Sequence, residues 1–203
     1  MKLGILGGTF NPIHIGHLLI AEEAYKVHEL STVIFISVNT LPHKDVRELA
    51  STIDRYQMVK EAIKGVDHFS VSDIEIKRTG KSFTIDTIKS IRHLHNEDCE
   101  VYLIIGADSL KEIDTWKDIT ALVKICKIVT INRPGHKITS FENLEKVLGK
   151  NVTSDIDKNM INIPPVGISS TEIRNRVKTG NSIRYWTPYS VEEYIKKHKL
   201  YLD

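Results

Sequence analysis

The feature that most constrains the fold is an alternation, along the whole chain, of short apolar runs with longer stretches of helical period. That pattern belongs to βαβ units and a mostly parallel sheet. Strands buried on both faces read as unbroken apolar runs, whereas each crossover helix shows one apolar stripe. Strands are expected at Leu3–Leu6, Val33–Val38, Phe69–Val71, Val101–Ile105, Ile125–Ile131 and Ile161–Ile163. Helices are expected at Gly16–His28, Thr52–Lys64, Thr84–His95, Asp108–Ile113, Glu142–Leu148, Ser170–Lys178 and Val191–His198. Ser51 with Asp54, Ser169 with Glu172 and Ser190 with Glu193 have the spacing of capping boxes. Gly180, Asn181 and Pro188 punctuate the end. No repeat or linker divides the chain. The expected fold is therefore one α/β domain over residues 1–203, a doubly wound, Rossmann-like parallel sheet with a short C-terminal helical segment from about residue 165.

A chain of 203 residues can bury a substantial core. Its formal charge of +2 is close to balance, which argues against nucleic acid as a main ligand. Met1-Lys2 leads at once into the first apolar run, so no signal or transit peptide is expected. No apolar stretch reaches the ~20 residues that a membrane span requires. Cys99 and Cys126 do not make a disulfide framework, and Cys126 sits inside an apolar run. Reduced structural thiols in a cytoplasmic protein are the simplest expectation.

In open parallel sheets the ligand lies beyond the carboxyl ends of the strands, where the winding direction switches. After the first expected strand comes Gly7-Gly8-Thr9-Phe10-Asn11-Pro12-Ile13-His14-Ile15-Gly16-His17. Adjacent glycines allow a sharp turn and a close backbone approach to a ligand. The N–H groups and dipole of the next helix favour an anion there. His14 and His17 stand three apart, so both can face the ligand from the first turn and donate imidazole N–H bonds to phosphate oxygens. The same spacing suits half of a metal site, but zinc needs further Cys, His or acidic ligands and the chain has only Cys99 and Cys126. Either histidine alone reads as structural; the pair after a Gly-Gly turn reads as functional.

Other strand ends carry similar chemistry, with Asn39 to Lys44 after the second, Gly106-Ala107-Asp108 after the fourth and Asn132 to Gly135 after the fifth. Near the carboxyl end, Gly167-Ile168-Ser169-Ser170-Thr171-Glu172-Ile173-Arg174 puts hydroxyls at a helix N-terminus with an arginine one turn in. Ser170 and Thr171 can bind phosphate oxygens through N–H and hydroxyl groups, and Arg174 adds a permanently charged donor fork. Alone, this segment is better read as a capped helix with an exposed arginine.

Together the two segments carry a family resemblance. Gly7 to Leu18, with His14-Ile15-Gly16-His17, resembles the signature of the H-x-G-H nucleotidyltransferase superfamily, which includes adenylyltransferases, cytidylyltransferases and class I aminoacyl-tRNA synthetases. Ile168 to Arg174 resembles the I-S-S-T-x-x-R motif of the adenylyltransferase branch and not the lysine-rich loop of the synthetases. Three further segments are similar to the nicotinate mononucleotide adenylyltransferase family, and the likeness spans nearly the whole chain. Pro42-His43-Lys44 with Arg55-Tyr56-Gln57-Met58 fits its P-H-K and R-x-x-M pattern. Ser82-Phe83-Thr84-Ile85-Asp86-Thr87 fits its S-x-T-x-D-T segment. Ile104-Ile105-Gly106-Ala107-Asp108-Ser109-Leu110, with Trp116 ten residues past the glycine, fits its strand, G-A-D-S-L and tryptophan. Pantetheine-phosphate adenylyltransferases share the two nucleotide motifs but are shorter and lack the third segment.

The resemblance implies attack by the 5′-phosphate of nicotinate mononucleotide on the α-phosphorus of ATP. It implies a catalytic set of His14, His17 and Arg174. ATP contacts would come from Gly7, Gly8, Thr9 and Phe10 in the first motif, from Ile168, Ser170 and Thr171 in the second, and from Gly106 and Asp108. The acceptor would meet Asn11, Lys44, Thr84, Thr87 and Trp116, again with Gly106 and Asp108. A tryptophan suits a pyridine ring, since base–aromatic stacking is worth about 1–3 kcal/mol. Backbone N–H groups around Gly106 and Trp116, with hydroxyls of Thr84 or Thr87, can receive the carboxylate and favour acid over amide. Trp116 reads equally as a rim or core aromatic, Asp108 also as a helix N-cap and Asp86 as a surface or capping carboxylate. Mg²⁺ is implied on the triphosphate, with no protein side chain as its ligand, and a homo-oligomer is implied as the assembly. Asn11 departs from the family's usual Asp in G-G-T-F-D-P. Asparagine supplies an oxygen acceptor and a donor, but a role resting on negative charge would be weakened. Two other readings stay open: a different acceptor, either the amide mononucleotide or pantetheine phosphate, and a nucleotide-binding sensor without turnover.

Overall fold

The computed structural model describes residues 1–38, 49–132 and 142–202. Its elements run β1 (Lys2–Gly8), α1 (Ile15–Val27), β2 (Thr32–Ser37), α2 (Thr52–Ala62), β3 (Phe69–Ser72), α3 (Thr84–His95), β4 (Glu100–Gly106) and α4 (Ala107–Lys111). They continue α5 (Ile119–Ile125), β5 (Lys127–Asn132), α6 (Glu142–Leu148), α7 (Lys150–Lys158), β6 (Ile161–Asn162), α8 (Ser170–Lys178) and α9 (Tyr189–Lys197). The strands form one sheet in the order β3-β2-β1-β4-β5-β6. The winding thus reverses between β1 and β4, as in the doubly wound α/β class that the alternation predicts.

By packing, the chain forms two compact units: Met1–Leu6, Ile20–Ile34 and Ser82–Pro165 make the first, and Gly7–Leu19, Phe35–Lys81 and Val166–Asp203 the second. In the first unit β4 lies parallel to β1, with Leu3 opposite Val101 and Leu6 opposite Ile104. On its other side β4 pairs in parallel with β5, and β5 with β6. Leu3, Ile5, Val101, Leu103, Ile104, Ile128, Val129 and Ile131 are all buried, as unbroken apolar runs require. A Cβ at Gly4 would fall 2.7 Å from Leu30 Cδ1 and 3.1 Å from Val33 Cγ2, so these side chains would have to shift to admit one. In the second unit α2 packs on α9. Tyr194 donates to Asp54 at 2.9 Å and Ser190 to the Glu61 carbonyl at 2.9 Å.

Three expectations about elements are corrected. The run beginning at Ile125 is not all strand: Ile119–Ile125 is a helix, Cys126 leaves it in extended backbone, and the strand starts at Lys127. Ile-Thr-Ala-Leu-Val-Lys-Ile is short and rich in β-branched residues, so its local preference is for strand, and its contacts with α3 outweigh that preference. Lys150–Lys158 is also helical, where the sequence shows no apolar stripe, because Thr153 and Ile156 are its only buried side chains. Ser190 does not cap α9; Pro188 holds that position, and Ser190 sits within the helix.

Candidate active site

The second unit contains both nucleotide motifs, so their geometry can be described together. β1 ends at Gly8, where a Cβ would lie 2.9 Å from the Phe10 ring, so a side chain there would displace that ring. Phe10 takes a positive φ of 47° and is 2% exposed. Its ring meets His17 edge-on at 5.1 Å and packs on Phe35 at 5.8 Å. The Asn11-Pro12 peptide bond is cis.

His14 lies just before α1 and is 4% exposed. Its ring stacks on that of His17 with centroids 3.7 Å apart and planes 26° from parallel. The backbone N–H of His14 donates to Nδ1 of His17 at 3.2 Å. A nitrogen that accepts carries the lone pair, so the neutral His17 ring holds its proton on Nε2, which becomes the ring's N–H donor. Gly16 lies against this stack. A Cβ there would stand 3.0 Å from both Cε1 and Nδ1 of His14.

The carboxyl-terminal motif grips the same turn. Ser169 caps α8 by accepting from the Glu172 N–H at 3.1 Å, as its spacing predicts. Three consecutive carbonyls then take donors from this region: Asn11 from Arg174 Nη1 at 3.1 Å, Pro12 from the Ser170 hydroxyl at 2.8 Å, and Ile13 from the Thr187 hydroxyl at 2.8 Å. The Ile15 N–H donates to the Trp186 carbonyl at 3.0 Å. With its hydroxyl hydrogen on Pro12, Ser170 offers a phosphate its backbone N–H, alongside that of Thr171, at the helix N-terminus. Ile168 is half-buried ahead of this helix, and Thr171 is exposed.

Arg55 fastens the turn from the α2 side. It is 2% exposed and donates through Nη1 to the Thr9 and Val38 carbonyls, both at 2.8 Å, through Nε to the Ala50 carbonyl at 3.2 Å and through Nη2 to Thr52 at 3.1 Å. Burial pulls its guanidinium below the ordinary arginine value, but arginine keeps its charge in proteins. Asn11, 3% exposed, accepts at Oδ1 from the Ala50 N–H at 3.0 Å and the Tyr201 hydroxyl at 2.8 Å. Arg55 belongs in the sequence to the R-x-x-M pattern, which gives it no role, and Tyr201, Thr187 and Trp186 belong to none of the motifs. The available signal for Arg55 was a charged residue on the same helical stripe as the buried Met58 and Val59. No local signal marks the others.

The acceptor candidates Thr84, Thr87, Gly106, Asp108 and Trp116 belong to the first unit. Thr87 is buried at 3% exposure on the core face of α3, and Thr84 opens that helix partly exposed. Gly106 holds the cap position of α4, so Asp108 is not an N-cap; it is exposed and pairs with Lys111 at 3.7 Å. Asp86 pairs with Lys117 at 3.2 Å. Trp116 is partly exposed, and its backbone N–H donates to the Ile113 carbonyl at 3.1 Å, so that backbone donor is already engaged. Lys44, with the rest of Asn39 to Lys44, and Arg133 to Gly135 lie outside the described residues. Among the described residues, no group of three or more His, Cys, Asp or Glu could hold a metal ion, and no helix is long and apolar enough to cross a membrane.

A doubly wound sheet whose first strand runs through a glycine turn into stacked histidines defines a nucleotide-binding α/β protein of the H-x-G-H type. The chain belongs to the cytidylyltransferase-like family, which it matches over residues 5–176, and within it to the nicotinate-nucleotide adenylyltransferases. It is 42% identical to the probable nicotinate-nucleotide adenylyltransferase of Geobacter sp. (strain M21), over 100% of this chain and 99% of that protein. It is 39% identical to that of Thermus thermophilus, over 99% and 100% respectively. Its fold is shared, at a TM-score of 0.76 and 22% identity over 98% of this chain and 97% of the other, with the Plasmodium falciparum nicotinic acid mononucleotide adenylyltransferase solved with NaAD.

Proposed function

We propose that this chain transfers the adenylyl group of ATP to nicotinate mononucleotide, releasing nicotinate adenine dinucleotide and pyrophosphate. The observation that carries the reading is the His14 N–H bond to His17 Nδ1 within the stacked pair, which makes Nε2–H the donor of the neutral His17 ring in the unit that also holds the N-terminus of α8 and Arg174. In the reaction, an oxygen of the acceptor's 5′-phosphate bonds to the α-phosphorus as the bond from that phosphorus to the bridging oxygen breaks. The nucleophile is already an anion, so no base is needed and no proton moves at the reacting atoms. What the chain supplies is in-line positioning and donors for the charge on the phosphoryl oxygens.

In this reading His17 serves the α-phosphate and His14 the triphosphate beside it. The Ser170 and Thr171 N–H groups and Arg174 take the β- and γ-phosphates. The Gly7 to Phe10 turn brings backbone close to the nucleotide, while Thr84, Thr87, Gly106, Asp108 and Trp116 are assigned to the nicotinate half and Lys44 to a substrate phosphate. The site's imidazoles, helix-start N–H groups and guanidinium are hydrogen-bond donors suited to phosphate, whereas Mg²⁺ takes oxygen ligands and would be held by phosphate and water oxygens, offsetting the charge of the departing pyrophosphate. A cytoplasmic homo-oligomer is the setting inferred, and the two buried free thiols support a reducing compartment.

The test is to supply Mg·ATP with nicotinate mononucleotide, its amide or pantetheine phosphate in turn, and to measure pyrophosphate and the adenylylated product. Nicotinate mononucleotide should react fastest. No pyrophosphate with any acceptor overturns the enzyme reading, and faster turnover of the amide overturns the acid preference. His17→Ala should lower kcat by about two orders of magnitude or more with a smaller change in KM for ATP. An unchanged kcat removes His17 from the mechanism.

A further inference from the structure

We infer that Tyr201, two residues from the chain's end, is a positioning residue of the transfer site and acts through Asn11; the kinetic part of this inference rests on the adenylyltransferase reading. Asn11 links three directions. Its Oδ1 is held by the Tyr201 hydroxyl at 2.8 Å and the Ala50 N–H at 3.0 Å, and its carbonyl is held by Arg174 at 3.1 Å. Its neighbour Phe10, fixed at a positive φ, packs edge-on against His17. A displacement of Asn11 therefore reaches Arg174 through one bond and His17 through one ring contact. Both are groups placed on the phosphates.

The donor is suited to this task. Burial pushes the Tyr201 phenol well above its usual range, so it stays protonated and donates across the pH range of the folded protein. These two donors to Oδ1 are neutral, and an amide oxygen satisfies them as a carboxylate would. The asparagine at position 11 is thereby accounted for without a negative charge. Tyr201 itself sits at a positive φ of 64°, a conformation that a non-glycine residue adopts only where its surroundings fix it.

The test compares wild type, Tyr201→Phe, Asn11→Ala and the double variant. Tyr201→Phe keeps the ring and removes only the hydroxyl. Its kcat should fall about tenfold, the equivalent of one hydrogen bond, with KM for ATP within about twofold and a melting temperature within about 4 °C of wild type. The double variant should be no slower than Asn11→Ala, because Tyr201 acts through that side chain. Independently of substrate, amide hydrogen exchange read by mass spectrometry should accelerate in the Gly8 to Ile15 peptides of Tyr201→Phe. Unchanged exchange there, an unchanged kcat, or losses that multiply in the double variant would overturn the inference. If wild type makes no product from nicotinate mononucleotide, the functional reading fails and the exchange result alone decides the role of Tyr201.

Discussion

At the scale of single residues, the site is built from groups that act on one another before they act on a ligand. The His14 N–H sets the proton position on His17, and the absence of a Cβ at Gly16 leaves room for the stack. Gly16→Ala should therefore reduce kcat by about tenfold or more, since a misplaced imidazole loses its alignment, while urea unfolding changes little. An alanine variant with wild-type kcat would show that the stack tolerates the methyl. Arg55 carries the opposite kind of burden. Arg55→Met leaves the Thr9, Val38 and Ala50 carbonyls without this donor in a partly buried setting, and should cost about 2–4 kcal/mol in urea denaturation. The H-x-G-H spacing was plain in the sequence. The arginine's role was not, because its partners are carbonyls, and every residue has one.

At the scale of elements, α3, α6 and α8 fall within the bounds that periodicity and turn signals set, whereas α5 and α7 do not. The difference lies in how much of each helix's stability is local. α8 has a serine cap, an acidic first turn and basic residues in its last turn. Ser169→Ala should lower stability by about 1 kcal/mol, read as a small drop in melting temperature. α9 has no side-chain cap and relies instead on buried Val191, Glu192 and Ile195. The Glu192 carboxyl is held below its ordinary value chiefly by the hydrogen bond from Lys196 at 2.7 Å, with burial opposing and Arg184 at 3.4 Å adding to the pull. A carboxylate with a depressed folded pKa stabilises the protein above its unfolded pKa and loses that contribution as pH falls through the folded value. Glu192→Gln should thus be less stable than wild type near neutral pH by about 1 kcal/mol, and the gap should close below about pH 4. A gap that persists at low pH would mean that packing, not charge, is what the substitution disturbs.

At the scale of the whole molecule, both thiols report on folding. Cys99 and Cys126 are free and buried, and burial pushes the Cys126 thiol up to about 12. A thiol-specific reagent at mildly alkaline pH should leave both unmodified in the native protein and label both in denaturant. Rapid native labelling of Cys126 would contradict its burial. The division into two units could not be read from the sequence, because each unit takes its residues from three separate stretches and no linker marks the boundary.

The sequence by itself determined the sheet class, the glycine turn, the histidine pair and the serine-capped start of α8, because each of these rests on periodicity or on residues within one turn of each other. Only the tertiary structure decided which groups hold that turn in place. The Arg174, Ser170 and Thr187 bonds to the carbonyls of residues 11 to 13, and the Tyr201 bond to Asn11, join residues 158 or more positions apart. No local pattern encodes such pairings. They exist because a buried turn must satisfy its backbone polar groups with whatever donors the fold brings to it.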